Sequence, residues 1–283
     1  MGGEFCIRVC ADNARRYCCR AAGMPPAPSA GHRRPHGLRV SRHGARSRPP
    51  WCYVSRVDPL AGSAWSAPAT VAGFAQSAPN AVLLRFAEHE RRRWGSARAL
   101  DLGCGAGRNA IPLAGLGWDV VGLDLSWPML CAAAPRVQEN RPGHRLHLVL
   151  APMDQLPVRS HSVELIIAHG IWNLARSAAE FRRALREAAR VAKPDAGLFV
   201  FTFSRTTFPP ETEPVAGEPF VFTQFSGQPQ CFLTEAQLVT ELGVAGFALD
   251  PNVPITEYNR PKLGALQRGT APVIYEATFR YAG

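Results

Sequence analysis

One stretch limits the fold more than any other: Ala99-Leu100-Asp101-Leu102-Gly103-Cys104-Gly105-Ala106-Gly107-Arg108-Asn109. An apolar run ends in an acid, glycines follow at alternate positions, and the chain then turns helical. That order fits a strand, a tight turn and a helix N-terminus. Glycine admits positive φ and lets backbone N–H groups approach a ligand with no Cβ between. The helix aims its positive end at the same place, so an anionic group is favoured there.

The flanking sequence repeats this alternation. Pro79-Asn80 opens a helix, and strands are expected at 97–102, 118–124, 145–150, 163–168 and 197–203. Between them lie helices at 108–116, closed by Gly117, at 126–137, capped by Ser126, and at 178–191. The helix at 178–191 sets Phe181, Leu185 and Ala188 against Arg182, Arg183 and Arg186, an amphipathic pattern. Strict βαβα order predicts an α/β fold, a mostly parallel sheet with helices on both faces.

The order pauses at 204–233, where Pro209, Pro210, Pro214, Pro219 and Pro229 surround an alternating Phe220-Val221-Phe222-Thr223-Gln224-Phe225. The segment is too long for a plain connection and is expected to be a substrate-covering insertion. Thr234 caps a further helix, and 247–250, 255–258 and 272–281 read as strands.

The formal charge of +10 would suit a nucleic-acid binder, but its distribution argues otherwise. Residues 1–60 carry eleven arginines against three acids, a net of +8, and the other 223 residues carry only +2. With Pro25-Pro26, Pro28 and Pro49-Pro50 and no sustained period, residues 1–60 read as a disordered Arg/Pro-rich extension, and residues 61–283 as the working domain. Cys104, Cys131 and Cys231 are too far apart for a disulfide framework, which points to a reducing cytoplasm. The tail cysteines form no CxxC pair with a matching His spacing, so no metal is expected, and no apolar run is long enough for a membrane helix.

The glycine turn is Gly103-x-Gly105-x-Gly107. A dinucleotide fingerprint needs a small residue where Arg108 stands, and GK[ST] is absent, so neither the dinucleotide nor the P-loop reading applies. The stretch resembles the (D/E)xGxGxG signature of the class I S-adenosylmethionine-dependent methyltransferases. Further residues carry the resemblance: Asp124 at the end of the second strand, Ser126-Trp127-Pro128-Met129-Leu130 after it, Met153-Asp154-Gln155-Leu156-Pro157 after the third, and Ala168-His169-Gly170 ending the fourth.

The resemblance implies a Rossmann-like seven-stranded sheet with a reversed last strand and S-adenosylmethionine as methyl donor. It also implies donor contacts from Asp101, Gly103, Cys104, Gly105, Gly107, Asp124, Leu125, Met129, Met153, Asp154 and His169. In it Asp101 faces the donor's ammonium, Asp124 the ribose and Asp154 the adenine. Two roles stay open for His169: a general base on the acceptor, or a residue that shapes the pocket. Trp172, Asn173 and the phenylalanines of 208–225 either line the acceptor site or pack the core. Arg205 and Arg260 are candidates for an acidic acceptor.

Ala168-His169-Gly170-Ile171-Trp172 stands where DNA-amino and glutamine methyltransferases carry Asn/Asp-Pro-Pro-Tyr/Phe. The chain is instead similar to quinone-biosynthesis and tellurite-resistance methyltransferases, which implies a small-molecule acceptor, no nucleic acid, no membrane, and a monomer or homodimer. Two alternatives remain: a donor-binding protein without catalysis, and an RNA-modifying enzyme that uses the Arg-rich tail as its arm.

Overall fold

The structure is a computed structural model that describes residues 6–11, 15–20, 58–95, 97–139, 145–251, 253–260 and 271–283. Its strands are β1 (Cys6–Ala11), β2 (Arg15–Arg20), β3 (Arg98–Leu102), β4 (Asp119–Asp124), β5 (Leu146–Leu150), β6 (Val163–His169), β7 (Ala192–Phe203), β8 (Val221–Phe222), β9 (Gln230–Cys231), β10 (Phe247–Leu249), β11 (Thr256–Tyr258) and β12 (Ile274–Tyr281). Its α-helices are α1 (Pro68–Gln76), α2 (Ala81–Arg93), α3 (Ala110–Gly115), α4 (Trp127–Glu139), α5 (Ala178–Val191) and α6 (Glu235–Val244).

One large sheet runs β10-β12-β7-β6-β3-β4-β5-β1-β2, with β11 also paired to β12. From β7 through β5 the pairings are parallel, and β12 is antiparallel to β7. The expected seven-stranded path with a reversed last strand is therefore present, from β10 to β5, and three more strands extend it. Strands buried on both faces split the core in two. Leu100, Leu102, Ile166, Ala168, Leu198 and Val200 pack beneath α5 and α6. Ala99, Val120, Leu148, Leu165, Ile167 and Phe199 pack beneath α2, α3 and α4. Neighbouring residues of one strand serve opposite cores, as period-two alternation requires.

Three local expectations change. Within 1–60, expected to be a disordered extension, β1 and β2 pair with each other, and β1 adds to the edge of β5. Ile7 and Val9 alternate with Arg8 and Cys10, a short strand pattern, and a sheet edge offers it partners. Residues 1–5, 12–14 and 21–57 lie outside the described residues. Lys193-Pro194-Asp195 ends α5 but does not delay the next strand: β7 begins at Ala192, opposite Val163, with a register shift between Val163 and Leu165. Asp195 absorbs the irregularity at φ 65°. Finally α1, absent from the sequence reading, lies among the Ala, Ser and Gly residues of 61–78; none of its residues is buried, so no apolar stripe marked it.

The insertion at 204–233 folds on itself. Phe208, Phe222, Phe225 and Phe232 meet Phe203 in one aromatic cluster, with Phe208–Phe232 ring centroids 4.6 Å apart. Phe220 packs on Phe181 of α5. Between the two uses open to these phenylalanines, the structure shows packing for Phe220 and Phe222, both buried.

Candidate functional site

The site forms at the C-terminal ends of β3, β4, β5 and β6, where parallel strands open into loops. All three turn glycines have positive φ: 66° at Gly103, 54° at Gly105 and 79° at Gly107. A Cβ on Gly103 would meet Ile171 Cδ1 at 2.8 Å, and one on Gly107 would meet Ile111 Cδ1 at 3.0 Å. The turn is closed by Cys104 N donating to Leu123 O (2.8 Å) and Gly107 N to Cys104 O (3.0 Å). Cys104 is buried against Gly122, and burial pushes its thiol up well above the usual range, so it packs and does not act as a nucleophile.

Asp101 ends β3 beneath this turn. It is 2% exposed, and its Oδ2 has no hydrogen-bond partner among the described residues. Burial raises its pKa to about 7, against the opposing pull of the Arg108 cation. A buried carboxyl oxygen without a partner is costly and fits a missing cationic or N–H ligand. Asp124 ends β4 and accepts from Gly105 N through Oδ2 (2.8 Å) and from Ser126 N through Oδ1 (2.7 Å). These bonds tie the glycine turn to the start of α4, and the Leu125 N–H adds a third backbone interaction with the carboxylate. Burial still raises the Asp124 pKa. Ser126 caps α4 as expected, its Oγ accepting from Met129 N (3.3 Å). Met129 is buried, with Sδ 3.8 Å from where a Gly105 Cβ would stand. Leu125 follows Asp124 in the same loop and is partly exposed.

The segment 58–77 closes over these residues. Asp58 Oδ1 accepts from Trp127 N (3.1 Å), and the Ser66 and Ser126 hydroxyls lie 3.2 Å apart. Phe74 of α1 approaches Gly105, and the Arg108 guanidinium lies over its ring at 6.0 Å. After β5, Met153 packs against the core beneath α5, and the Asp154 carboxylate meets Arg183 of α5 through Oδ2 (3.1 Å). Asp101, the glycine turn, Asp124 and Met129 thus form one cluster, whereas Asp154 turns one oxygen towards α5.

The neighbouring ends of β6, β7 and β12 bring together distant parts of the chain. His169, Phe201 and Glu276 occupy one row across β6, β7 and β12. The His169 ring stacks on Phe201 with centroids 4.1 Å apart and planes 8° apart. Asn80 is the N-cap of α2, its Oδ1 accepting from Val82 N (2.8 Å) and Leu83 N (3.0 Å). Its Nδ2 donates to Glu276 Oε2 (2.8 Å) and lies 3.2 Å from His169 Nε2. Tyr258 donates to the other Glu276 oxygen (2.8 Å). Arg108 Nη2 lies 3.0 Å from His169 Nδ1. Burial, then the Arg108 cation, lowers the His169 pKa to about 4, so the ring is neutral at physiological pH.

Several residues here escaped the sequence reading. Asn80 was legible only as a helix opener and Arg108 only as a misfit to another fingerprint. Glu276 and Thr278, on the polar side of the β12 alternation, are buried at 5% and 4% exposure. A strand that carries polar residues on a buried face was the available signal. The other candidates have structural partners. Arg205 donates to the carbonyls of Phe208, Pro209, Pro210 and Thr212, and Arg260 pairs with Glu257 at 2.7 Å. Trp172 and Asn173 are buried, and Trp172 Nε1 and Asn173 Oδ1 have no hydrogen-bond partner among the described residues.

A doubly covered parallel sheet with a glycine turn at β3 and acids ending β3 and β4 defines an α/β protein of the Rossmann-like fold class. Comparison with known proteins makes this narrower. Residues 99–195 match the family described as a methyltransferase domain. The matched stretch runs from β3 into β7 and holds Asp101, the glycine turn, Asp124, Asp154 and His169. It is 36% identical over 118 residues to a ubiquinone/menaquinone biosynthesis C-methyltransferase of Syntrophotalea carbinolica, covering 41% of this chain and 47% of that protein. It is 27% identical over 173 residues to a ubiquinone biosynthesis O-methyltransferase of Azorhizobium caulinodans, covering 59% and 66%. The chain spans about half the length of the first of these relatives. The fold is shared with the 1,6-didemethyltoxoflavin-N1-methyltransferase of Burkholderia thailandensis, at TM-score 0.52 and 21% identity over 71% of this chain and 78% of that one.

Proposed function

We propose that the protein transfers a methyl group from S-adenosylmethionine to a small-molecule acceptor by direct in-line displacement. The observation that carries this reading is Asp101: a buried carboxyl with an unpartnered oxygen, beneath a turn whose three glycines all have positive φ. Asp101 holds the donor's ammonium, the N–H groups at Gly103–Gly107 meet its amino-acid end, and Asp124 faces the ribose. Met129 and Leu125 pack along the nucleoside, with Met153 and the free Oδ1 of Asp154 at the adenine. The bound donor supplies an electrophilic sulfonium methyl. The chain's own task is alignment and exclusion of water, and alignment alone is worth about 7–11 kcal/mol of barrier in well-oriented reactions. His169, neutral and stacked on Phe201, borders the acceptor.

Relatives named as quinone C- and O-methyltransferases support a small, aromatic or quinol-type acceptor. Buried thiols at Cys104 and Cys231 are in keeping with a reducing, cytoplasmic setting. Among the described residues no helix is long and apolar enough to cross a membrane.

Calorimetry with S-adenosylhomocysteine tests the donor site. Asp124→Ala removes a charged partner worth about 1.5–3 kcal/mol, so affinity falls at least tenfold. Near wild-type affinity would refute the ribose assignment. Transfer of a labelled methyl group into a metabolite extract tests catalysis, and binding without transfer would leave a non-catalytic donor-binding protein.

A further inference from the structure

We infer that His169 Nδ1–H and the Arg108 guanidinium together bind one oxyanion, with Asn80 and Glu276 as the positioning residues that hold the imidazole in the tautomer this requires. The inference rests on the proposed methyl transfer and assigns a chemistry to the boundary between donor and acceptor.

The argument begins at Asn80. Its Oδ1 is fixed by two backbone N–H groups of α2, and Glu276 Oε2 accepts from its Nδ2. The amide cannot flip without breaking all three bonds. Nδ2 therefore faces His169 Nε2, 3.2 Å away, as a donor. Nε2 must be the accepting nitrogen, and a neutral imidazole then carries its proton on Nδ1. The reverse tautomer would set an N–H against an NH2 that has no freedom to turn.

That assignment has a consequence on the other side of the ring. Nδ1–H points at Arg108 Nη2, 3.0 Å away, and guanidinium nitrogens only donate. Two donors face each other across a distance suited to a donor and an acceptor. A protonated imidazole would face donors at both nitrogens, which agrees with the suppressed basicity of His169. Of the two neighbours, Asn80 is tied at three points. Arg108 has the Phe74 ring at 6.0 Å and the electrostatic pull of the buried Asp101 carboxyl as further interactions, but its guanidinium makes no salt bridge among the described residues. The contact that yields is Arg108's.

An oxygen that parts the two groups accepts from both, and a negative charge on it is matched by the guanidinium. The shared chemistry is a carboxylate, phenolate or enolate oxygen. It has two sources: the carboxylate of the methyl donor, or the oxygen of a quinol-type acceptor. In either case His169 serves as an N–H donor, and its Nδ1 has no lone pair with which to act as a base.

The test uses the full chain labelled with nitrogen-15, with His169 assigned by comparison with His169→Gln. Imidazole spectra at neutral pH should show the Nδ1–H tautomer in the free protein. Asn80→Asp keeps the helix cap but presents an oxygen to Nε2, and it should reverse the tautomer. The protein is then titrated with S-adenosylhomocysteine, with 5′-methylthioadenosine (which lacks the carboxylate), and with 1,4-naphthohydroquinone added to the S-adenosylhomocysteine complex.

A shift at Nδ1 with S-adenosylhomocysteine but not 5′-methylthioadenosine, and a loss of tenfold or more in S-adenosylhomocysteine affinity in Arg108→Met, assigns the oxyanion to the donor. A shift only with the naphthohydroquinone assigns it to the acceptor. An Nε2–H tautomer in the free protein, or no response of Nδ1 to any of the three, overturns the inference. Failure of S-adenosylhomocysteine to bind at all would instead overturn the proposed function, and the tautomer remains readable without it.

Discussion

The glycine turn can be tested by comparing two substitutions that share a backbone cost and differ in space. Gly103 and Gly105 both have positive φ, at 66° and 54°. Alanine at either position is strained by about 1–2 kcal/mol. A Cβ at Gly105 finds its nearest neighbours at 3.8 Å, the Met129 sulfur and the Phe74 ring, so strain is the whole cost. A Cβ at Gly103 meets Ile171 Cδ1 at 2.8 Å and Ile171 Cβ and Cγ1 at 3.0 Å. Overpacking of this kind adds about 1–3 kcal/mol, for a total of roughly 2–5 kcal/mol. The entropy that alanine removes from the unfolded chain is common to both variants and cancels in the difference. Gly103→Ala should therefore lower the urea midpoint more than Gly105→Ala, by the equivalent of about 1–3 kcal/mol at unchanged m-value. Ile171→Val removes the nearest atom, Cδ1, and leaves the two at 3.0 Å, so it should recover only part of the Gly103→Ala cost in a double-mutant cycle. Equal losses at the two glycines, or no coupling to Ile171, would refute the account.

Asp101 predicts an unusual pH dependence. Its folded pKa of about 7 lies above the unfolded value of about 3.9, so between those limits the native state holds a proton that the unfolded chain has lost. Stability contributed by this group falls as pH rises through that window, by on the order of 4 kcal/mol in full, and Asp101→Asn should flatten this part of the stability profile. Far from the site, Glu90 is fully buried between Arg93 (2.8 Å) and Arg280 (2.6 Å). Glu90→Ala should cost about 3–5 kcal/mol in denaturant unfolding and leave S-adenosylhomocysteine affinity unchanged within twofold. In the proposed donor site Asp154 is already paired with Arg183 through Oδ2. Asp154→Ala should lower donor affinity by roughly fivefold, about 1 kcal/mol, a smaller loss than in Asp124→Ala, and an equal loss would show that the Arg183 pair opens on binding.

The two halves of the site differ in how far apart their residues lie in the chain, and that difference decided what could be read in advance. The donor half is local: Asp101, the three glycines, Asp124 and Met129 fall within 29 consecutive residues. Strand period, glycine spacing and a capping serine are short-range signals, so the turn and the cap that build this half were legible in the sequence. The proposed acceptor half joins α2, β6, β7 and β12. Asn80 and Glu276 are 196 residues apart and share a hydrogen bond. No local pattern encodes that meeting, which follows from the sheet order, with β12 antiparallel beside β7 and β7 beside β6. The same order buries both faces of β12, so Glu276, polar in an alternating strand, lies inside rather than in water. Local grammar therefore named the donor. The antiparallel return of β12 brings Glu276 to the N-cap of α2, and Asn80 at that cap sets the proton on His169, which decides whether the acceptor meets a base or a donor.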